Sequence, residues 1–259
     1  MKIVYVCKDS ITGIFSAVYE AWKRRNEGRE LSIAIQGSVE PALFCEYQEI
    51  EESERKAAAV EKMILKNLGS LVYRDSYYAS LSRNLEKGDA ILGTLLAARK
   101  IPDSRKIMDH LGETHVEKVF ELSRNVGEEA HLLTGFIRFR ELENGVLLSE
   151  ITPKNQVLPC LGPHFQDRFP MENWMIYDKG RQMFAVHEAG KQWVLAEVEK
   201  LDEEVSGRLS EKELELEELW KMFCRTIAIK ERKNPVCQRN NLPLWYRQNM
   251  TEFQEIHAK

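Results

Sequence analysis

Apolar residues recur at helical spacing through most of the first half of the chain and at strand spacing through much of the second. Ile14, Phe15, Val18, Ala21 and Trp22 form one stripe at intervals of three and four, with Asp9 or Ser10 placed to cap its start. From Ser53 to Arg99 the same period returns in Ala57, Val60, Ile64 and Leu68, then Leu81 and Leu85, then Ile91, Leu95 and Leu96. Gly69 and Lys87-Gly88 divide that run into three predicted helices. Another helix is predicted from Thr114 to Leu133, through Val116, Val119, Phe120 and Leu122, with Gly135 positioned to end it. The opening Met1–Asp9 stretch reads as a first strand, and Leu31–Gln36 and Phe44–Ile50 as short extended pieces.

The texture changes after Gly135. Phe136–Leu142 alternates bulk with charge and reads as a strand, and Asn144-Gly145 is a hairpin signal leading into Val146–Thr152. Leu158–Arg168 is predicted as a short helix after Pro153. Three strand-like runs follow, Trp174–Asp178, Gln182–His187 and Trp193–Val198, with turns at Lys179-Gly180 and Ala189-Gly190. Short turns between strands favour antiparallel pairing. Ser210 and Glu213 form a capping box for a last helix bearing Leu216, Leu219, Trp220, Phe223 and Ile227. The fold class is therefore α+β. Residues 1–135 are expected to be mostly helical with a short first strand. Residues 136–259 are expected to hold an antiparallel sheet of about five strands flanked by helices, a C-terminal helix and a basic tail, the whole packed as one unit.

Composition narrows the classes. With 259 residues, 43% hydrophobic and 30% charged, the chain has the make-up of an ordinary globular protein. No apolar run reaches the ~18 residues of a membrane span, and the apolar start is too brief for a signal peptide. Five cysteines at wide, irregular spacing, with no C-x-x-C and no Cys/His cluster, argue against zinc, an iron–sulfur cluster or a disulfide framework. No cofactor is expected, and the cysteine usage suits the reducing cytoplasm. Phosphate-loop, H-E-x-x-H, G-x-S-x-G and zinc-deaminase patterns are all missing from the sequence.

Candidate chemistry gathers near the C-terminal end. Between Lys221 and Arg247 there are seven Lys or Arg and one acid, interleaved with Trp, Tyr, Asn and Gln. Arg232, Lys233, Asn234 and Arg239 suit phosphate pairing and amide hydrogen bonding, and Trp245 or Tyr246 offers a stacking face. The net charge of −4 makes any such contact local. A solvated basic end against an acidic body explains the same composition. On the predicted Phe136–Leu142 strand, Arg138 and Arg140 share a face; they grip successive phosphates or pair with Glu150 or another acid. His131 sits in the last turn of its helix, where a cation complements the dipole. His164 lies where a turn meets a helix, and with Asn155 and Asp178 it can form a polar cluster around a general base. No Cys or His stands at ligand spacing from either histidine, so no structural metal is expected there.

These residues also fall in a familiar order. It runs His131-x-x-x-Gly135-Phe136-x-Arg138-Phe139-Arg140, Asn155-x-x-Leu158-Pro159, Pro163-His164-Phe165, Arg168-Phe169-Pro170 and Trp174-x-Ile176-x-Asp178. It closes with Leu219-Trp220 and Ile229-x-x-Arg232-x-Asn234-Pro235-x-x-Gln238. The whole resembles a bacterial family of DNA metabolism or repair proteins whose conserved domain is of unknown function. Tyr5 to Trp22 fits that family's opening strand and helix, so the likeness covers nearly the full length. Asp9-Ser10 stands where a Gly-Ser pair is usual, and Leu242–Tyr246 replaces a more basic Pro-Arg-Tyr-Trp form. The resemblance implies a DNA-binding accessory protein that acts with a separate radical-SAM DNA-modification enzyme. The cluster cysteines of such an enzyme are absent from this sequence, so that chemistry falls to the partner. Two other readings stand beside it: an enzyme acting on DNA or a nucleotide through His131, Asn155, His164 and Asp178, and a protein-interaction module that binds no nucleic acid.

Overall fold

A computed structural model describes residues 2–39, 41–197 and 207–254 of the chain. Two compact units divide it, Met1–Glu128 and Glu129–Lys259. The boundary falls inside a long helix, α5 (Thr114–Phe136) of the full element order, rather than after it.

The first unit holds a parallel sheet of β1 (Lys2–Cys7), β2 (Glu30–Ile35) and β3 (Cys45–Glu49), in the order β2-β1-β3. The two expected extended pieces are thus strands on either side of the first. Parallel neighbours need a crossover, which α1 (Ile11–Lys23) provides between β1 and β2. Its cap is Ser10, whose hydroxyl oxygen accepts the Gly13 N–H at 2.8 Å. Ile3, Tyr5 and Cys7 of β1 share a core with Ile14 and Val18 of α1 and with Ile64, Ile91 and Leu95. The helical run that follows is α2 (Glu54–Asn67), α3 (Ser70–Ser80) and α4 (Lys87–Ala98). Gly69 separates the first two at a φ of +93°, a conformation that favours glycine.

The second expected break is displaced. Lys87 and Gly88 open α4 instead of interrupting a helix. A Cβ on Gly88 would lie 2.6 Å from Ile33 Cγ2, so this glycine serves the close approach of helix to strand. The Lys87 side chain is buried, its ammonium held by the Asp9 carboxylate and by the Ser82 carbonyl at 2.6 Å. Gly135 does not end α5 either: it stays out of the left-handed region, and the helix runs on to Phe136.

The second unit contains β4 (Arg140–Glu141), β5 (Leu147–Ile151), β6 (Trp174–Asp178), β7 (Met183–His187) and β8 (Val194–Glu197), in sequential order. With flanking helices this is an α+β fold, and its sheet is mixed. Asn144-Gly145 makes the tight turn between β4 and β5, with Gly145 at φ +78°. The expectation of all-antiparallel pairing fails at one point. β5 and β6 run parallel, Leu147 opposite Trp174, because α6 (Leu158–Arg168) returns the chain to the starting end before β6 begins. Val198, expected to close the last strand, lies outside the described residues. The predicted Phe136–Leu142 strand shrinks to Arg140–Glu141; Phe136 is helical, and Ile137 and Phe139 join the core.

One face of this sheet presents Trp174, Ile176 and Ala185 to Leu158, Leu161 and Phe165 of α6. Phe139 completes it, edge-on to Phe165 at 5.1 Å and to Phe169 at 5.7 Å. The other face carries Leu148, Tyr177 and Phe184, with Leu142 over them. The chain continues through α7 (Glu211–Thr226), a 3-10 turn at Lys230–Arg232, α8 (Pro235–Asn241), α9 (Leu244–Arg247) and a last 3-10 turn at Thr251–Phe253. Half of the expected capping box forms: the Ser210 hydroxyl accepts the Glu213 N–H at 3.1 Å. The Glu213 carboxylate instead accepts the Glu141 N–H at 3.1 Å, which ties α7 to β4. The stripe Leu216, Leu219, Trp220 and Phe223 is exposed rather than buried.

Candidate nucleic-acid interface

The C-terminal segment folds back on the second unit as a strap. Its anchor is Glu129, a buried carboxylate on α5. That carboxylate accepts the Lys154 N–H, the Asn155 N–H and the Asn155 side-chain amide, each at 2.8 Å, and the Tyr246 hydroxyl at 3.0 Å. Burial, with the adjacent Glu129 charge, raises the Tyr246 phenol well above its ordinary range. Beside it the Trp245 indole N–H donates to the Thr152 carbonyl. The Thr152 hydroxyl oxygen accepts from the side-chain amides of Gln248 at 2.5 Å and Asn249 at 3.1 Å. Glu252 completes the strap by pairing with Arg138 at 2.7 Å. Burial pushes the Glu252 carboxyl up, but hydrogen bonds and charge, chiefly from Arg138, outweigh it and leave it below the usual carboxylate range.

This arrangement withdraws Arg138 from phosphate pairing. Its Nε and Nη2 donate to Glu252, and its Nη1 donates to the carbonyls of Gly135 at 2.9 Å and Ile137 at 3.1 Å. The last carbonyls of a helix need donors, and Arg138 supplies one to the end of α5. Arg140 stands close enough to Glu213 to favour its ionised form, although burial carries the net shift of that carboxyl upward. Glu150, the partner first considered for either arginine, pairs with Lys179 at 2.6 Å.

The polar cluster around a general base is not assembled. His164 is exposed on α6, edge-on to the Phe165 ring at 4.9 Å. His131 is exposed on α5, where its carbonyl accepts the Thr134 hydroxyl at 2.6 Å. Asn155 and Asp178 are both buried, Asn155 on Glu129 and Asp178 on the N–H groups of Gly180 and Arg181 and the Arg181 guanidinium. Burial pushes the Asp178 carboxyl up, and the Arg181 charge only partly offsets it. Cys7 is buried, and burial with the Asp9 charge pushes its thiol up to about 12, which disfavours the thiolate. Among the described residues no three His, Cys, Asp or Glu side chains converge as metal ligands, and no helix is long and apolar enough to cross a membrane.

The basic segment is different. Arg232, Lys233 and Arg239 are exposed, and the Arg239 Nε donates to the Pro235 carbonyl at 3.3 Å. Asn234 is a helix cap, its side-chain oxygen accepting the Cys237 N–H at 3.0 Å. Arg247 donates to the carbonyls of Leu242 and Gln238 and lies 4.9 Å over the Phe253 ring, so it staples α8 to the strap. Among the described residues none of the seven cations from Lys221 to Arg247 pairs with a carboxylate. The Trp245 ring remains 52% exposed although its N–H is used, which leaves a face for stacking.

Sequence reasoning missed Glu129, Thr152 and Glu252 as anchors. The available signal was Tyr246 and Met250, four residues apart, which lie on the strap's inward side, while Phe253 is exposed. A family model described as a domain of unknown function, DUF4130, matches residues 86–252. No curated protein matches the chain.

Proposed function

The chain belongs to the DUF4130 family, and we propose that its second unit is a nucleic-acid-binding accessory module of DNA metabolism or repair. One observation supports the reading above the others: the seven cations from Lys221 to Arg247 have no carboxylate partner among the described residues, and Arg232, Lys233 and Arg239 are exposed. A cation tied to a carboxylate must give that pair up before it meets a phosphate; among the described residues these three have no such pair to give up. The choice of DNA, and of a separate radical-SAM enzyme as partner, rests on the family resemblance in the motif order. A direct catalytic role through His131, Asn155, His164 and Asp178 gains no support from an exposed histidine and two buried groups engaged elsewhere.

Fluorescence anisotropy with a labelled single-stranded oligonucleotide, over a series of salt concentrations, tests the reading. Three engaged charges give a log–log slope of roughly −2 to −3. Absent or salt-insensitive binding overturns it. Co-purification with the radical-SAM protein, with and without DNA, tests the partner.

A further inference from the structure

A groove of about 520 Å³ opens in the second unit between α7 and the C-terminal strap. Phe139, Leu216 and Trp220 wall it, and Glu213 and Glu217 stand on the same face of α7, one helical turn apart. No phosphate suits this groove, since the two carboxylates repel it. The cation in the groove's lining, Arg138, lies 6.0 Å over the Trp220 ring, but its hydrogen bonds go to Glu252 and to two main-chain carbonyls. One Glu217 carboxylate oxygen is buried without any hydrogen-bond partner among the described residues. A buried acceptor left unmade is costly, so this oxygen calls for a donor that the described residues do not bring. Burial raises the Glu213 carboxyl and the Glu217 charge raises it further, against the Glu141 N–H and Arg140, which lower it. Like charges four residues apart on a helix destabilise each other until a cation sits between them.

We propose that this groove docks an arginine or lysine side chain carried on a basic, apolar-flanked segment of a partner protein. The charged head donates to Glu217 and lies beside Glu213, while the aliphatic stem and its apolar neighbours cover Leu216, Phe139 and the indole of Trp220. Charge complementarity selects the occupant. A neutral apolar segment leaves the Glu217 oxygen without a donor, and a nucleic-acid strand brings charge of the wrong sign. The site does not use Arg232, Lys233 or Arg239, so it stands or falls independently of the nucleic-acid reading.

The probe is a fluorescein-labelled pentapeptide with one central arginine flanked by leucines, and its control carries citrulline, which keeps the shape and removes the charge. Anisotropy on the full chain is expected to show the arginine peptide binding at least about tenfold tighter than the citrulline peptide. Glu217→Gln is expected to erase that preference and Glu217→Lys to abolish binding, each with a circular dichroism spectrum that matches the natural chain. The variant lacking Arg232, Lys233 and Arg239 is expected to bind the peptide as the natural chain does, whatever its oligonucleotide affinity. No binding by the natural chain, equal binding of the citrulline peptide, or full binding by Glu217→Lys overturns the proposal. An oligonucleotide that displaces the peptide and binds Glu217→Gln more tightly also overturns it, by assigning the groove to nucleic acid.

Discussion

The Tyr246 hydroxyl donates to the Glu129 carboxylate at 3.0 Å, joining two residues 117 positions apart. That carboxylate also holds the N–H groups of Lys154 and Asn155, so one buried acid fixes the end of α5, the approach to α6 and the C-terminal strap. Arg232, Lys233 and Arg239, in and just before α8, precede that strap, and its docking sets where they are presented.

Removing the phenol hydroxyl tests the latch. Tyr246→Phe deletes one hydrogen bond to a charged acceptor, worth about 1.5–3 kcal/mol, and leaves the other three Glu129 contacts in place. Glu129→Ala is expected to cost more, because it strips buried N–H groups of their acceptor as well. Thermal melts should rank the variants in that order, with faster proteolysis near Arg247 in both. Equal stability of Tyr246→Phe and the natural chain would show that the strap is not held there.

The strap should also answer to pH at both ends. Glu252 is held below its ordinary value, so its contribution is present above that value and is lost as pH falls through the lower, folded one. Tyr246 is raised, so its contribution is present below the ordinary phenol range and is lost as pH rises through the higher, folded value. Tryptophan fluorescence is expected to report release of the strap in acid, below the usual glutamate range. Glu252→Gln should flatten that acid limb and leave the alkaline one. An unchanged acid limb in this variant would assign the transition to another group.

What could be read from the sequence was local. Leu158–Arg168, the Asn144-Gly145 turn and the Ser10 cap each depend on residues within a few positions, and each formed as expected. The direction of β6 against β5 was not legible, because Leu147–Ile151 and Trp174–Asp178 alternate identically whichever way they run. Only the path of α6 decides it. Arg138 misled for a similar reason: its alternation with Ile137 and Phe139 matches a strand, yet its partner Glu252 lies 114 residues away. Polar residue types carry no mark of burial, so nothing in the sequence separates an exposed His164 from a buried Asn155 or Asp178.

Gly162 offers a packing test. A Cβ there would lie 2.4 Å from Cδ2 of the Trp193 ring, far inside van der Waals contact. Alanine gains roughly 1 kcal/mol of helix propensity over glycine, but overpacking against a ring costs about 1–3 kcal/mol. The main-chain N–H of Trp193 donates to the Gln166 side chain at 2.9 Å, which holds its backbone beside α6. Gly162→Ala is therefore expected to lower the melting temperature, and Trp193→Leu in the same chain to restore part of it. A higher melting temperature for the single variant would mean that the ring moves freely.

The last test separates cations that hold the fold from cations offered to a ligand. Arg138→Ala removes the partner of Glu252 and the donor to the end of α5. It is expected to lower stability by about 2 kcal/mol, less than the ~3–5 kcal/mol of a fully buried pair because part of the side chain is exposed. Its oligonucleotide salt slope should match the natural chain wherever the variant is folded. Changing Arg232, Lys233 and Arg239 together to Ala is expected to do the reverse. The melting temperature stays nearly fixed, because exposed charges contribute little to stability, and most of the roughly −2 to −3 slope disappears. Trp245 needs finer treatment, since its N–H holds the Thr152 carbonyl while its ring is half exposed. Trp245→Phe keeps a stacking face and loses the hydrogen bond; Trp245→Ala loses both. If a base stacks on this ring, the alanine variant should bind about 1–3 kcal/mol more weakly than the phenylalanine variant, with the slope unchanged in each. Equal affinities for the two would leave Trp245 a strap anchor alone. A triple variant that keeps its slope would move the phosphate contacts away from these three residues, and one that unfolds would make these cations part of the fold.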